Sequence, residues 1–401
     1  MADANRPAKG AATRSAPAAL PADELARALV REELRSFPVY SVPHPAGVAI
    51  KLDANELPLP LPAEVAAELA SELARVELNR YPDADQSELR AEIAATLGVA
   101  PGTLVLGNGS DEIIGLLVTC FARPRPGRAR AAVAYPVPSF AVFGGAALAA
   151  GCEAVEIPLE EDFTLDFAVV ERALVAARPN LVFFARPNNP TGTLWPARQV
   201  AEVARAHPDV LVVSDEAYAA FAGDSMIGLV AELPNLLVMQ TLSKTGLAAL
   251  RIGVLHAAPA LLAEIEKVRM PYNIGSLNQR AAAWILRHCG PLMAERCAAV
   301  VRERERVAAA LAAMAGVRAF PSQANLILFR VGQPGDGRAT RAWEGMCRRG
   351  VLVRSFDRPG PLSGCLRVTI GSADENDRFL AALSDSLAGS PAGSPAGSPA
   401  G

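Results

Sequence analysis

The chain has 401 residues, enough to bury a large core and to form two or three domains. Its composition is 51% hydrophobic and 20% charged, with a formal net charge of only −3. That balance excludes a nucleic-acid binder that relies on bulk neutralisation of phosphates.

Six cysteines are scattered without a C-x-x-C pair and read as reduced thiols. Four histidines without metal spacing leave no zinc signature, so no metal site is expected. In chain order, residues 1–20 are an Ala/Pro/Arg/Ser tail without periodicity and are expected to be disordered. They lack the apolar core of a secretory signal, which points to a cytoplasmic protein. Residues 21–75 read as an N-terminal arm and part of a small domain, 76–292 as a large domain, and 293–387 as the rest of the small domain. From 388 to 401 the chain repeats A-G-S-P, a low-complexity tail.

Within the large domain, short apolar runs at 104–106, 131–134, 181–185, 210–214, 236–241 and 251–256 predict strands. Helical patterns at 111–121, 165–177 and 196–206 separate several of them. This alternation predicts an α/β fold with a mostly parallel central sheet covered by helices. Residues 131–151 are uncharged and long enough to cross a bilayer. Pro136, Pro138 and Gly144-Gly145 divide them instead into a strand, a loop and a core helix, so no membrane association is expected. A helical pattern at 293–315 and strands at 325–330 and 365–370 predict the smaller α+β domain.

Ligands of open α/β sheets bind beyond the carboxyl ends of the strands, and four strand ends here carry polar groups. Gly107-Asn108-Gly109-Ser110-Asp111 feeds a helix start, which suits a phosphate as well as an ordinary cap. It is neither a Walker loop nor a full G-x-G-x-x-G, which disfavours ATP and NAD. Arg186-Pro187-Asn188-Asn189-Pro190-Thr191-Gly192 reads as a tight turn, or as a rigid loop with directed amides. Asp215, in S-D-E-A-Y (214–218), ends a buried strand, where it is either a helix cap or the partner of a cation. Lys244 lies among small and apolar residues, with Arg251 seven positions later. It is either a surface lysine or an amine activated for a Schiff base. Together the four ask for a phosphate, a protonated ring nitrogen, an aldehyde and a phenolic oxygen. Pyridoxal 5′-phosphate (PLP) has all of these groups.

G-N-G-S-D-E (107–112), P-N-N-P-T-G (187–192), S-D-E-A-Y (214–218) and T-L-S-K-T-G-L-A-A-L-R-I-G (241–253) resemble the signature segments of fold type I PLP-dependent aminotransferases. K-L-D-A-N-E-L-P (51–58), L-N-R-Y-P-D (78–83), M-P-Y-N-I (270–274), P-S-Q-A-N-L-I-L (321–328) and L-R-V-T-I-G (366–371) narrow the resemblance to the histidinol-phosphate aminotransferase family. The resemblance implies that Lys244 carries the cofactor and moves the proton at the substrate Cα. It further implies that Asp215 pairs with the ring nitrogen, Tyr218 and Asn189 meet the phenolic oxygen, and Phe140 stacks on the ring. Gly109, Ser110, Asp111, Ser243 and Arg251 would surround the phosphate, with Tyr81 reaching it from the neighbouring subunit of a two-fold homodimer. Tyr40, Asn55, Asn189 and Arg367 would be substrate-side.

The implied reaction is transamination of L-histidinol phosphate with 2-oxoglutarate, a step of histidine biosynthesis. The partners are then a small-molecule amino donor and a 2-oxo acid. An aromatic amino-acid aminotransferase or a related PLP-dependent decarboxylase is the alternative. A non-catalytic regulator would need a DNA-reading module that residues 1–30 are too short to supply. The chain departs from the family pattern at Phe140, where Tyr is common, at Asn55-Glu56-Leu57-Pro58 in place of N-E-N-P, and in the Lys244-to-Arg251 spacing. Arg186, before P-N-N-P-T-G, is left without a role.

Overall fold

A computed structural model describes residues 21–35 and 45–389. The chain divides into two compact units, residues 1–41 and 42–401. The described part of the first consists of helices Ala22–Leu29 and Glu32–Arg35, with Arg35 Nη2 donating to the Arg27 carbonyl at 2.7 Å. Tyr40 and the predicted disordered tail at 1–20 lie outside the described residues, as does the C-terminal repeat from 390 on. At its near end the chain is still helical, in Ala373–Ala388.

The second unit holds twelve strands: β1 (Ile50–Leu52), β2 (Leu104–Asn108), β3 (Ala132–Val137), β4 (Glu153–Pro158), β5 (Leu181–Ala185), β6 (Leu211–Asp215), β7 (Leu236–Thr241), β8 (Ile252–His256), β9 (Val317–Ala319), β10 (Leu326–Val331), β11 (Val351–Ser355) and β12 (Cys365–Thr369). Seven of them form a sheet in the order β2-β8-β7-β6-β5-β3-β4. Its pairs are parallel except those of β8, which runs antiparallel to both β2 and β7.

This sheet is buried on both faces, and the strand sequences reflect it. Val133, Phe183, Val213 and Leu237 pack with helices Gly109–Phe121 and Val142–Ala149 on one face. Ala134, Val182, Phe184, Val212 and Val238 pack with Phe167–Ala177 and Ala197–Ala206 on the other. Strands covered on both faces read as continuous apolar runs, which is why L-V-F-F-A and L-L-V-M-Q-T could be recognised without alternation. The uncharged stretch 131–151 becomes β3, a proline-containing loop and the helix Val142–Ala149. Among the described residues no helix is long and apolar enough to cross a membrane.

The remaining five strands form a second sheet, β1-β11-β12-β10-β9. Here β1 pairs in parallel with β11, so residues 50–52 lie beside residues 351–353 and the sheet draws on both ends of the chain. Helices Arg338–Arg348 and Ala373–Ala388 cover it, around Phe329, Leu366, Val368 and Phe379. The helical pattern expected from Met293 begins earlier, in a 37-residue helix Ser276–Ala312 that contains Pro291. Pro291 lacks the N–H that a helix interior needs, yet the helix runs through it with apolar neighbours holding both halves. Strands β1, β4, β9 and β11 are additions to the expected set.

All six cysteines are free thiols. Phe183 is completely buried, with its ring stacked on Phe143 at 4.8 Å. Phe183→Ala is expected to cost about 3–5 kcal/mol, read as a lower denaturation midpoint of the purified protein.

Candidate active site

Because β2, β5, β6 and β7 share one direction, their carboxyl ends meet along one edge of the sheet. Gly109, Asn189, Asp215 and Lys244 therefore come together although 135 residues separate the first from the last. The reversed strand β8 starts at that same edge, which places Arg251, just before it, beside them.

At the β2 end the helix Gly109–Phe121 begins without a side-chain cap. The Gly109 N–H donates to the Arg251 carbonyl at 2.7 Å, and the N–H groups that follow it and the helix dipole face an anion. The guanidinium of Arg251 closes over this start, with Nη2 3.2 Å from Asp111 Oδ2 and Nη1 donating to Ser243 Oγ at 3.3 Å. Two glycines make the approach possible. A Cβ on Gly109, whose φ is +78°, would lie 2.4 Å from Arg251 Nη2, and one on Gly253 would lie 2.4 Å from the carbonyl carbon of Gly109. Thr241 Oγ1 is 3.0 Å from the Ser243 hydroxyl and completes the cradle.

Asp215 is 5% exposed, and its carboxylate accepts one hydrogen bond, from the Ala217 N–H at 3.1 Å. Burial pushes its pKa up to about 7; the Ala217 N–H opposes this, Asp111 and Glu216 add to it, and Lys244 works against it. A buried carboxylate with so little support fits a protonated ring nitrogen. Lys244 is half-buried, with Nζ 5.9 Å from the centroid of the Tyr218 ring. It makes no hydrogen bond or ion pair among the described residues, so its amine is available for reaction.

Hydrogen-bond direction can be assigned at the two residues expected near a phenolic oxygen. Arginine only donates, so Arg367 Nη1 at 2.5 Å fixes the carbonyl oxygen of Asn189 toward itself and turns the Asn189 NH₂ away. Tyr218 Oη accepts from Asn55 Nδ2 at 2.8 Å, which leaves the phenol proton to be donated elsewhere. Asn55 is held for this task. Its N–H donates to Thr369 Oγ1 at 2.9 Å, its side-chain oxygen accepts from the same hydroxyl at 3.2 Å, and its own carbonyl accepts from Asn325 Nδ2. Its φ of +56° is uncommon for a residue with a side chain and is held by these contacts. Asn55, expected on the substrate side, thus supports Tyr218 directly.

Phe140 is half-buried and packs edge-on against Phe143 at 5.7 Å. The adjacent Ser139 donates to Asn188 at 2.6 Å, tying the Phe140 loop to the Asn189 loop. Tyr81 is set apart from the other candidates in this chain. It is 80% exposed, stacks on Tyr272 at 4.7 Å, and makes no hydrogen bond or ring contact with the phosphate-side residues among those described.

One residue escaped the sequence reading. Arg354 on β11 lies directly opposite Arg367 on β12, so the two like charges share one sheet face. Only pairing of β11, a strand the apolar pattern did not reveal, could have found it. Two facing arginines suit a doubly charged anion. No group of three or more metal-ligating side chains occurs among the described residues.

Without a cation beside it, Asp215 has a higher pKa in the folded chain than in the unfolded one. Its contribution to stability is therefore present at low pH and lost as pH rises from about 4 to about 7. Cofactor-free Asp215→Asn is expected to be more thermostable than wild type at pH 8, with the gap closing toward pH 4. Parallel melting curves across that range check this.

Residues 48–383 match the family described as aminotransferase class I and II. The histidinol-phosphate aminotransferase of Chromobacterium violaceum is 44% identical over 358 residues, covering 88% of this chain and 97% of its own length. That of Methylibium petroleiphilum is 43% identical over 373 residues, covering 92% and 96%. Among solved structures, the histidinol-phosphate aminotransferase of Sinorhizobium meliloti in complex with pyridoxal 5′-phosphate aligns with a TM-score of 0.76 at 26% identity, covering 85% of this chain and 91% of that one. The strand-end site and these matches over most of the chain lead to one conclusion: the chain belongs to the class I and II aminotransferases, among the histidinol-phosphate aminotransferases.

Proposed function

We propose that this chain catalyses PLP-dependent transfer of the amino group of L-histidinol phosphate to 2-oxoglutarate, giving imidazole-acetol phosphate and glutamate in histidine biosynthesis. The observation that carries the substrate is the Arg354–Arg367 pair, since a phosphate-bearing donor supplies the doubly charged anion that the pair suits. The relatives' names support the same reading.

The residues present fit PLP. The uncapped helix start, Ser243 and Arg251 would hold its phosphate, Asp215 its ring nitrogen, and Phe140 its ring face. When bound, PLP supplies an aldehyde and an electron-withdrawing ring. Asp215 keeps a proton on the ring nitrogen. Tyr218 and Asn189 direct their donor groups at the phenolic oxygen, as Asn55 and Arg367 dictate. Lys244 takes the proton from the substrate Cα and returns one in the second half-reaction. Arg367 and Arg354 bind the donor's phosphate in one half-reaction and a carboxylate of the oxo acid in the other.

The protein is further proposed to work in the cytoplasm as a two-fold homodimer, with Tyr81 serving the partner's phosphate site. The exposed Tyr81–Tyr272 stack, with Leu78 and Met270 also exposed, supports this.

In an absorbance experiment, L-histidinol phosphate is expected to bleach the yellow PLP form much more than L-phenylalanine does, and Lys244→Ala to lose turnover. The opposite substrate order would move the donor to an aromatic amino acid. Arg354→Ala is expected to lower kcat/KM for histidinol phosphate by about tenfold or more while changing that for phenylalanine little. Mixing Lys244→Ala with Tyr81→Ala subunits is expected to restore activity above either alone, because one site of the hybrid regains both residues. No restoration would place Tyr81 in its own chain's site.

A further inference from the structure

Arg186 stands immediately before the P-N-N-P-T-G loop and is 0% exposed. A guanidinium does not deprotonate, so a buried one must be paired. Its Nε donates to the Trp195 carbonyl at 2.7 Å and its Nη2 to Asp224 at 2.9 Å. Its Nη1 lies 3.7 Å from Glu216 Oε1, within ion-pair range and beyond hydrogen-bond length. Glu216 is itself 1% exposed and accepts from the Ser214 and Ser225 hydroxyls, the Met226 N–H and the Gln240 amide. Burial pushes the Glu216 pKa up, while the Ser225, Met226 and Gln240 donors and the Arg186 guanidinium oppose it, so the charge of the carboxylate depends on the ion pair with Arg186.

The bridge lies just behind the strand ends of the site. The Arg186 N–H donates to the Asp215 carbonyl at 2.7 Å, and the Glu216 N–H to the Met239 carbonyl at 2.7 Å. Arg186 is three residues before Asn189, and Glu216 follows Asp215. The charged or titratable groups facing this region include Arg186 just after β5, Asp111 from the helix after β2, Lys244 after β7, Asp224 after the short helix Ala219–Ala222, and Arg302 and Arg304 of helix Ser276–Ala312, which line one cavity with Glu216 and Asp224. Asp215, Glu216 and Tyr218 come from β6 and its continuation. Three of the four carboxylates in that set lie within ten residues of one another, and the guanidinium of Arg186 is inserted between two of them.

We propose that Arg186 is a positioning residue for the cofactor site: by pairing with Glu216 from beneath, it cancels a carboxylate adjacent to Asp215 and sets the electrostatic potential at the ring-nitrogen end. The Glu216 charge raises the proton affinity of Asp215, and Arg186 acts on Glu216 in the opposite sense, so the signs agree with the geometry. The proposal rests on the PLP reading given above.

The test uses the full chain, stripped of cofactor and titrated with PLP alone, and reads the pH midpoint of the bound cofactor's visible absorbance. Loss of a nearby cation favours protonated forms, so Arg186→Met is expected to raise the midpoint by about one unit. Glu216→Gln removes an anion and is expected to lower it, while the double variant returns near wild type. A residue that served only packing would lower thermal stability without moving the two midpoints in opposite directions. Unmoved midpoints, or two shifts of the same sign, overturn the proposal. If Arg186→Met does not fold, the other two variants decide. The proposal stands if Glu216→Gln lowers the midpoint and the double variant folds and restores it. It falls if Glu216→Gln leaves the midpoint unchanged. A wild-type chain that takes up no PLP overturns the site reading and this proposal together, whereas a wild type that binds PLP beside unmoved variants sinks the proposal alone.

Discussion

Asp215 is a carboxylate at the dry end of a central strand, supported by a single N–H. In a chain without its ligand that charge is out of place, since burial favours the neutral form. The arrangement becomes sensible once a cationic ring nitrogen meets the carboxylate, and the neighbouring elements are organised around that meeting. Lys244, Tyr218 and Asn189 come from adjacent strand ends, and in the proposed reading the helix start with Arg251 would hold the anionic far end of the same ligand. A buried acid placed this way is a functional charge rather than a stabilising one, and the hydrophobic layers on both sheet faces offset its cost.

Direction of hydrogen bonding is the second theme. Asn189 and Tyr218 are both held by donors, Arg367 and Asn55, so each is left with a donor of its own facing outward. The orientation is therefore imposed before any ligand arrives, which spares reorganisation when it binds. The small sheet provides both constraints, through Arg367 on β12 and through Thr369 behind Asn55.

Much of this was legible in the residues because the parallel sheet needs continuous apolar strands, each followed at once by its ligand-facing turn. The segments at 107–112, 187–192, 214–218 and 241–253 could be placed at strand ends from that pattern alone. The small sheet was less legible. Strand β1 has three residues and an exposed lysine at its centre, and β11 offers only Val351-Leu352-Val353 before Arg354-Ser355, a run as short as 104–106 but without the Gly-rich polar turn that follows that one. Arg354 was missed for that reason, since its place depends on register and not on spacing. Arg186 was noticed but unexplained, because an arginine before a proline loop looks like a surface residue until its two carboxylate partners, 30 and 38 positions onward, are brought beside it.

Strand β1 pairs with β11, and the Asn55 backbone bonds to a hydroxyl 314 residues away. The seven-stranded sheet is complete by residue 256, well before β12 is made. A chain emerging from the ribosome can thus lay down Asp215, Tyr218 and Lys244 in their strand order while Asn55, the support of Tyr218, still lacks Thr369 and Asn189 its arginine. The core of the catalytic scaffold is a product of early synthesis, and the alignment of its donors waits for the last strand of the small sheet.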